Sequence, residues 1–136
     1  MNQIMTKIWQ RIKVTLIILL LVGVGVSLFF IFGNFSEGSR AGTVVKFSKK
    51  GVLTKTYEGE LNMGMVITEN AAANYGSNIF DFSVPTGNKE VIETLEKVML
   101  TGNRIKLNYY EKYVTFPWVG DTKYHVYKVE VLENRD

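Results

Sequence analysis

Apolar residues along this chain fall into two regimes. From Val14 to Gly33 twenty residues carry no charge, and fifteen of them are Val, Leu, Ile or Phe. A helix rising about 1.5 Å per residue over that length reaches about 30 Å, the thickness of a bilayer's hydrocarbon core. At about 0.3 to 0.6 kcal/mol each on an insertion scale, these side chains favour the membrane by several kcal/mol. The pattern predicts an N-terminal transmembrane α-helix over 14–33, preceded by a cytoplasmic segment 1–13. Residues 34–41 (Asn-Phe-Ser-Glu-Gly-Ser-Arg-Ala) then read as a short linker. A cleaved signal peptide fits less well, because its apolar stretch is about 7 to 15 residues long and closes on a small-residue site. Ser39 and Ala41 lie well beyond the run and flank Arg40, and with no cysteine there is nothing to acylate as a lipoprotein.

Beyond the linker the apolar pattern alternates, the period of strands with one buried face. Gly42 to Lys50 predicts a first strand with Val45 and Phe47 on one side. After a turn at Gly51, Val52 to Leu61 predicts a second, with Leu53, Tyr57 and Leu61 in phase. Residues 62–77, with Gly, Asn and an Ala triplet, read as a loop. Ile79 to Pro85 gives a third strand on which Phe80, Phe82 and Val84 share a face. Asn88 then stands as an N-cap before Val91, Leu95, Val98 and Met99 at helical spacing, and Gly102 supplies the stop. Arg104 to Thr115, with Ile105, Leu107 and Tyr109 alternating, is the fourth strand. A turn-rich segment 116–122 leads into a fifth strand from Lys123 to Leu132. The order β-β-β-α-β-β is that of an OB-like five-stranded barrel, so residues 42–136 are expected to form a mainly β, OB-like domain.

Charge then bears on topology. The chain has 16 Lys plus Arg against 13 Asp plus Glu. Three of those cations, Lys7, Arg11 and Lys13, precede the apolar run without any acid, leaving thirteen of each sign beyond it. The sequence pI of about 9.1 therefore reports the anchor, and a neutral domain gives no support to nucleic-acid binding. Cations before the helix favour an N-terminus inside the cell, with the C-terminal domain outside the cytoplasm. A local basic patch remains at Lys46, Lys49, Lys50 and Lys55, as expected of a solvated hairpin whose charges discourage edge pairing.

Candidate chemistry is sparse. No cysteine and a single histidine remove thiol chemistry, zinc fingers and multi-histidine metal sites for want of ligands. Gly23-Val24-Gly25 lies inside the apolar run and lacks the rest of a dinucleotide fingerprint. Gly23 and Ser27 instead form a small-xxx-small pair suited to packing between membrane helices. His125 shares a strand face with Tyr127, Val129 and Val131, which predicts a structural histidine bonded to a neighbour. Glu58 and Glu60 alternate onto one face of the second strand as solvated charges. Seven aromatic residues fall between Tyr109 and Tyr127, and OB-like barrels bind through the sheet face and the loop between strands four and five. The candidate partner or ligand surface is therefore Phe116, Trp118, Asp121, Thr122 and Tyr124, with no catalytic, cofactor or metal residue assigned.

Several strings carry a resemblance. They are Glu37-Gly38 with Arg40 and Gly42, Lys46-Phe47-Ser48-Lys49-Lys50-Gly51 and Lys55-Thr56-Tyr57-Glu58-Gly59-Glu60-Leu61. Two more are Phe82-Ser83-Val84 and Pro117-Trp118-Val119-Gly120-Asp121-Thr122 with Tyr124. Together these resemble a family of small single-pass membrane proteins, mostly from the Bacteroidota, with Val119 standing where that family suggests arginine. Some of its members carry a 6-phosphogluconate dehydrogenase label. That activity needs a nucleotide-binding βαβ unit and a sugar-phosphate site, which a strand-rich neutral domain of about 100 residues does not accommodate. The expectation is a non-enzymatic interaction module, held to the lipid bilayer by residues 14–33 and serving a cell-envelope protein assembly. The alternative is a small-molecule or glycan-binding domain that uses the aromatic strand 4–5 region.

Overall fold

In a computed structural model residues 2–64 and 78–132 are described, and they divide into two compact units that meet in sequence at Gly33 and Asn34. The first unit is helix α1, Asn2–Phe32, which has no buried residue and is long and apolar enough to cross a membrane. Its apolar side chains project on every side. A helix without a polar face finds a stable environment in a bilayer or a deep core rather than at a soluble surface. α1 extends the predicted span back to Asn2 and ends one residue before Gly33, whose N–H bonds to the Phe29 carbonyl at 2.8 Å.

The second unit holds a five-stranded mixed sheet: β1 Asn34–Lys50, β2 Thr56–Asn62, β3 Ile79–Val84, β4 Ile105–Lys112 and β5 Tyr124–Val131, with helix α2 Lys89–Thr101 between β3 and β4. Pairing runs β1-β2-β3-β5-β4 and returns to β1, so the ladder closes on itself. All pairs are antiparallel except β3 with β5, which meet in parallel at Ser83 and His125.

Residues 34–41, read as a linker, form the first half of β1 and pair with β4 from Asn34 opposite Lys112 to Gly42 opposite Ile105. The strand then changes partner and pairs with β2 from Thr43 onward. Periodicity did not reveal this half because it contributes backbone to the ladder and few apolar side chains to the core. Even Arg40 is structural: its guanidinium lies 4.5 Å from the Phe80 ring centre, and its Nε donates to the Tyr109 hydroxyl at 3.4 Å.

Core and surface follow the predicted alternation wherever the ladder is regular. Leu61, Phe80, Phe82, Val84, Ile105 and Leu107 are buried on the inner face, with Val91, Ile92, Leu95 and Val98 of α2 packed against it. Each such side chain contributes about 1.5 to 3 kcal/mol of burial. Besides an irregularity between Asn34 and Ser36, register shifts on β1 and β5 change the phase. On β1 the register slips between Val44 and Lys46, so Val44 is buried and Val45, the predicted inward residue, is exposed. One extra residue in a strand flips everything beyond it. On β5 the slip beside Tyr109 leaves Val126 rather than Tyr127 in the core. Leu53, expected in phase with Tyr57, stands in the β1–β2 connection and is 97% exposed.

α2 obeys its predicted limits, with two changes. Asn88 occupies the N-cap position, but its side chain makes no capping bond and donates instead to the Tyr127 carbonyl at 3.0 Å, tying the helix start to β5. Ile92 replaces Met99 on the buried face. Gly102 ends the helix in the left-handed conformation, φ 72°, where glycine meets no Cβ penalty. The predicted loop 62–77 falls outside the described residues from 65 onward.

Candidate functional site

Alternation on β2 and β3 sends Thr56, Glu58 and Glu60 of one strand, and Asp81 and Ser83 of the other, to the outer face. There Glu58 pairs with Ser83 and Glu60 with Asp81. Solvation is the default for such side chains, and sequence reasoning assigned it to both glutamates. Glu58 is instead 7% exposed and Ser83 is fully buried. The cover is the segment 120–122. Gly120 lies so close that a Cβ there would stand 2.6 Å from the Ser83 Cβ and 3.3 Å from the His125 ring, so a bare backbone is needed.

Hydrogen bonds compensate the burial. Glu58 accepts from the Ser83 hydroxyl at 2.5 Å and from the Asp121 N–H at 3.1 Å. Thr122 donates its N–H to Ser83 Oγ at 3.1 Å, and the two hydroxyls lie 2.9 Å apart. Thr122 Oγ1 also bonds the Tyr124 carbonyl at 3.1 Å. Burying a carboxylate is costly unless it is satisfied in this way, and a satisfied network fixes one geometry. The β4–β5 connection is therefore locked onto β2 and β3.

Beside this lock lies an open groove of about 310 Å³, lined by Lys46, Ser48, Lys50, Glu58, Glu60, Asp81, Asp121 and Thr122 with Gly59 and Phe82. Its charges pair across it: Lys46 reaches Glu60 at 2.6 Å and Lys50 reaches Asp121 at 3.8 Å. Donation of a hydrogen bond to the Glu60 carboxylate holds the pKa of the Lys46 ammonium above the ordinary lysine range. Ser48 Oγ is buried and has no hydrogen-bond partner among the described residues.

The predicted surface divides in three. Asp121 and Thr122 line the groove. Phe116 and Trp118 stack face to face at 4.8 Å in a turn closed by the Val119 and Gly120 N–H groups on the Phe116 carbonyl, and Trp118 remains 59% exposed. Tyr124 packs instead against the core, 4.9 Å from Phe80 and 5.3 Å from Tyr109. Sequence reasoning missed Glu58, Ser83 and Ser48 as parts of the site. The available signal was Ser83, a small polar residue in phase with Asp81, opposite a glutamate beside a glycine.

Glu58, Ser83 and His125 are the residue types of a nucleophilic triad, but their arrangement differs. A serine nucleophile needs its hydroxyl on an imidazole and open to substrate. Ser83 gives its proton to Glu58 and has no exposed surface. His125, expected to be bonded to a neighbour, is 5% exposed and shares a hydrogen bond with the Thr122 backbone, while its Nε2 is without a partner among the described residues. Burial, followed by the Lys112 charge, pushes its pKa below 6.5. No group of three or more metal-ligating side chains occurs among the described residues. On α1, Ser27 donates its hydroxyl to the Gly23 carbonyl at 2.8 Å, so the predicted packing pair is joined within its own helix.

With this geometry defined, a family assignment follows from the sequence. Residues 33–135 match DUF8785, a domain of unknown function, and the chain belongs to that family. The matched region begins one residue before β1. No curated protein and no solved structure matches the chain.

Proposed function

We propose that this protein is a single-pass membrane protein in which α1 anchors an OB-like barrel on the periplasmic side of a bacterial inner membrane. The barrel serves as a non-enzymatic interaction module of a cell-envelope protein assembly. The closed strand order β1-β2-β3-β5-β4, with α2 between β3 and β4, supports the OB-like reading. The uncharged run of α1 and the cations before it support the anchor and its orientation.

One observation carries the choice of a protein partner. The stacked Phe116 and Trp118 stand outward on a turn whose far end is locked to the sheet by Glu58 and Ser83. A rigid, exposed tryptophan is the residue type that dominates binding energy in protein interfaces. The alternative, a small-molecule or glycan-binding domain that uses the aromatic strand 4–5 region, would draw on the same exposed Trp118, but the groove lined by Asp121 and Thr122 adds no second open ring, since its Phe82 is fully buried.

The test is co-purification of the full-length chain from detergent extracts, with Trp118→Ala and Asp121→Ala beside the wild type. Loss of a stoichiometric partner in Trp118→Ala is the expected result. Equal recovery from all three proteins removes the β4–β5 connection from the interface.

A further inference from the structure

The β1–β2 connection, residues 51–55, carries a feature that the interaction reading leaves unused. Val52 and Leu53 are 96% and 97% exposed, adjacent aliphatic side chains with almost no contact to the rest of the domain. The connection that presents them is closed. Gly51 has φ 113°, and a Cβ at that position would collide with the Thr54 carbonyl. Lys55 Nζ also donates back to the Gly51 carbonyl at 2.7 Å.

Around the tip, Lys49 to Tyr57 contains three lysines and no acid. Lys49 lies 5.3 Å over the Tyr57 ring, and of the three only Lys50 has a carboxylate within ion-pair reach among the described residues, Asp121 at 3.8 Å. A neighbouring hollow whose lining includes Phe47, Lys49, Tyr57, Glu96 and Met99 adds a third exposed aliphatic, Leu100.

We propose that this tip is a membrane contact in its own right: Val52 and Leu53 enter the interfacial layer of a bilayer, and Lys49, Lys50 and Lys55 meet its anionic headgroups. An aliphatic point within a basic collar matches the two layers of such a surface, acyl chains below and phosphates above. Protein interfaces draw most of their energy from large side chains seated in pockets, with Val and Leu under-represented, so a two-residue aliphatic point suits a fluid partner better. The inference rests on the anchor reading in one respect: a helix in the bilayer holds the domain at high effective concentration near lipid, so a weak contact suffices.

The absence of native cysteine permits a single-site label. Full-length Leu53→Cys, carrying an environment-sensitive fluorophore, is reconstituted into phosphatidylcholine vesicles with or without about one-third phosphatidylglycerol. Brominated acyl chains report insertion, aqueous iodide reports exposure, and Thr86→Cys in the β3–α2 turn is the reference site. The proposal expects quenching by brominated lipid at 53 and not at 86, stronger with phosphatidylglycerol. Lys49→Gln and Lys55→Gln should each weaken the docked state about fivefold. Equal lipid quenching at the two sites overturns the proposal. Protection from iodide without lipid quenching also overturns it, in favour of a protein occupant. An alkaline carbonate wash reads the anchor separately: if it releases the chain while lipid quenching at 53 was observed, the tip contact stands and the anchor reading fails.

Discussion

The connections β1–β2 and β4–β5 both join antiparallel neighbours in the ring, yet they treat their side chains in opposite ways. Residues 51–55 close on themselves, with Lys55 bonded to Gly51, and hold Val52 and Leu53 in solvent. Residues 120–122 fold back over the sheet and bury Glu58 and Ser83 beneath them. An apolar sequence is thus exposed while a glutamate and a serine are buried. The difference follows from bonding partners: the β4–β5 backbone offers N–H groups at 121 and 122 to a carboxylate and a hydroxyl that need them. The β1–β2 tip has only its own atoms to satisfy.

On this contrast the lock is sensitive to substitution and the tip is not. Glu58→Ala leaves the Ser83 hydroxyl and the Asp121 N–H without their acceptor. It should cost about 3 kcal/mol in urea unfolding of the full chain in detergent, with Glu58→Gln recovering part of the loss. A cost below about 0.5 kcal/mol, the level of ordinary surface substitutions, would break the comparison outright. Gly120→Ala drives a methyl group against Ser83 and should cost about 2 kcal/mol by overpacking. It should also raise amide exchange at Asp121 and Thr122, and unchanged protection there would mean the cover does not depend on close approach.

A smaller effect concerns pH. Because burial holds the His125 pKa below 6.5, the folded imidazole resists the proton that the unfolded chain takes up. The stabilisation is therefore fully present above about pH 6.5 and is lost as pH falls toward the depressed folded value. Thermal melts between pH 5 and 7 should show this slope, and His125→Gln should flatten it. An unchanged slope in the variant would assign the effect elsewhere. At the lower limit, Leu53→Ser should move stability by less than about 0.5 kcal/mol, since a side chain that buries nothing has nothing to lose. A larger loss would show that the tip packs on the domain.

The same contrast explains what was readable in the chain. β3, α2, β4 and β5 lie close to their predicted limits, because Phe80, Phe82 and Val84, the α2 stripe, and Ile105, Leu107 and Tyr109 mark one buried face in phase. Prediction failed where a residue's environment is set by something distant in sequence. Leu53 fits the phase of Tyr57 and Leu61 on paper, but the ladder begins only at Thr56. Of the proposed surface, Trp118 and Asp121 are exposed, whereas Tyr124 turned inward because Phe80 and Tyr109 are there to receive its ring.

By itself, then, the sequence determined the long apolar helix, the neutral charge of the domain beyond it, and the order of five strands and one helix. These are local or additive properties: hydropathy sums along a helix, charges can be counted, and alternation repeats within one strand. Only the tertiary structure decided that residues 34–41 are half of β1, that the bulge at Val45 turns Val44 inward, and that Glu58 is buried beneath Asp121. Each of those depends on a partner far along the chain, β4 for the first, β2 for the second and the β4–β5 backbone for the third. Burial of a polar group is a property of the pair, and no single strand's pattern contains it.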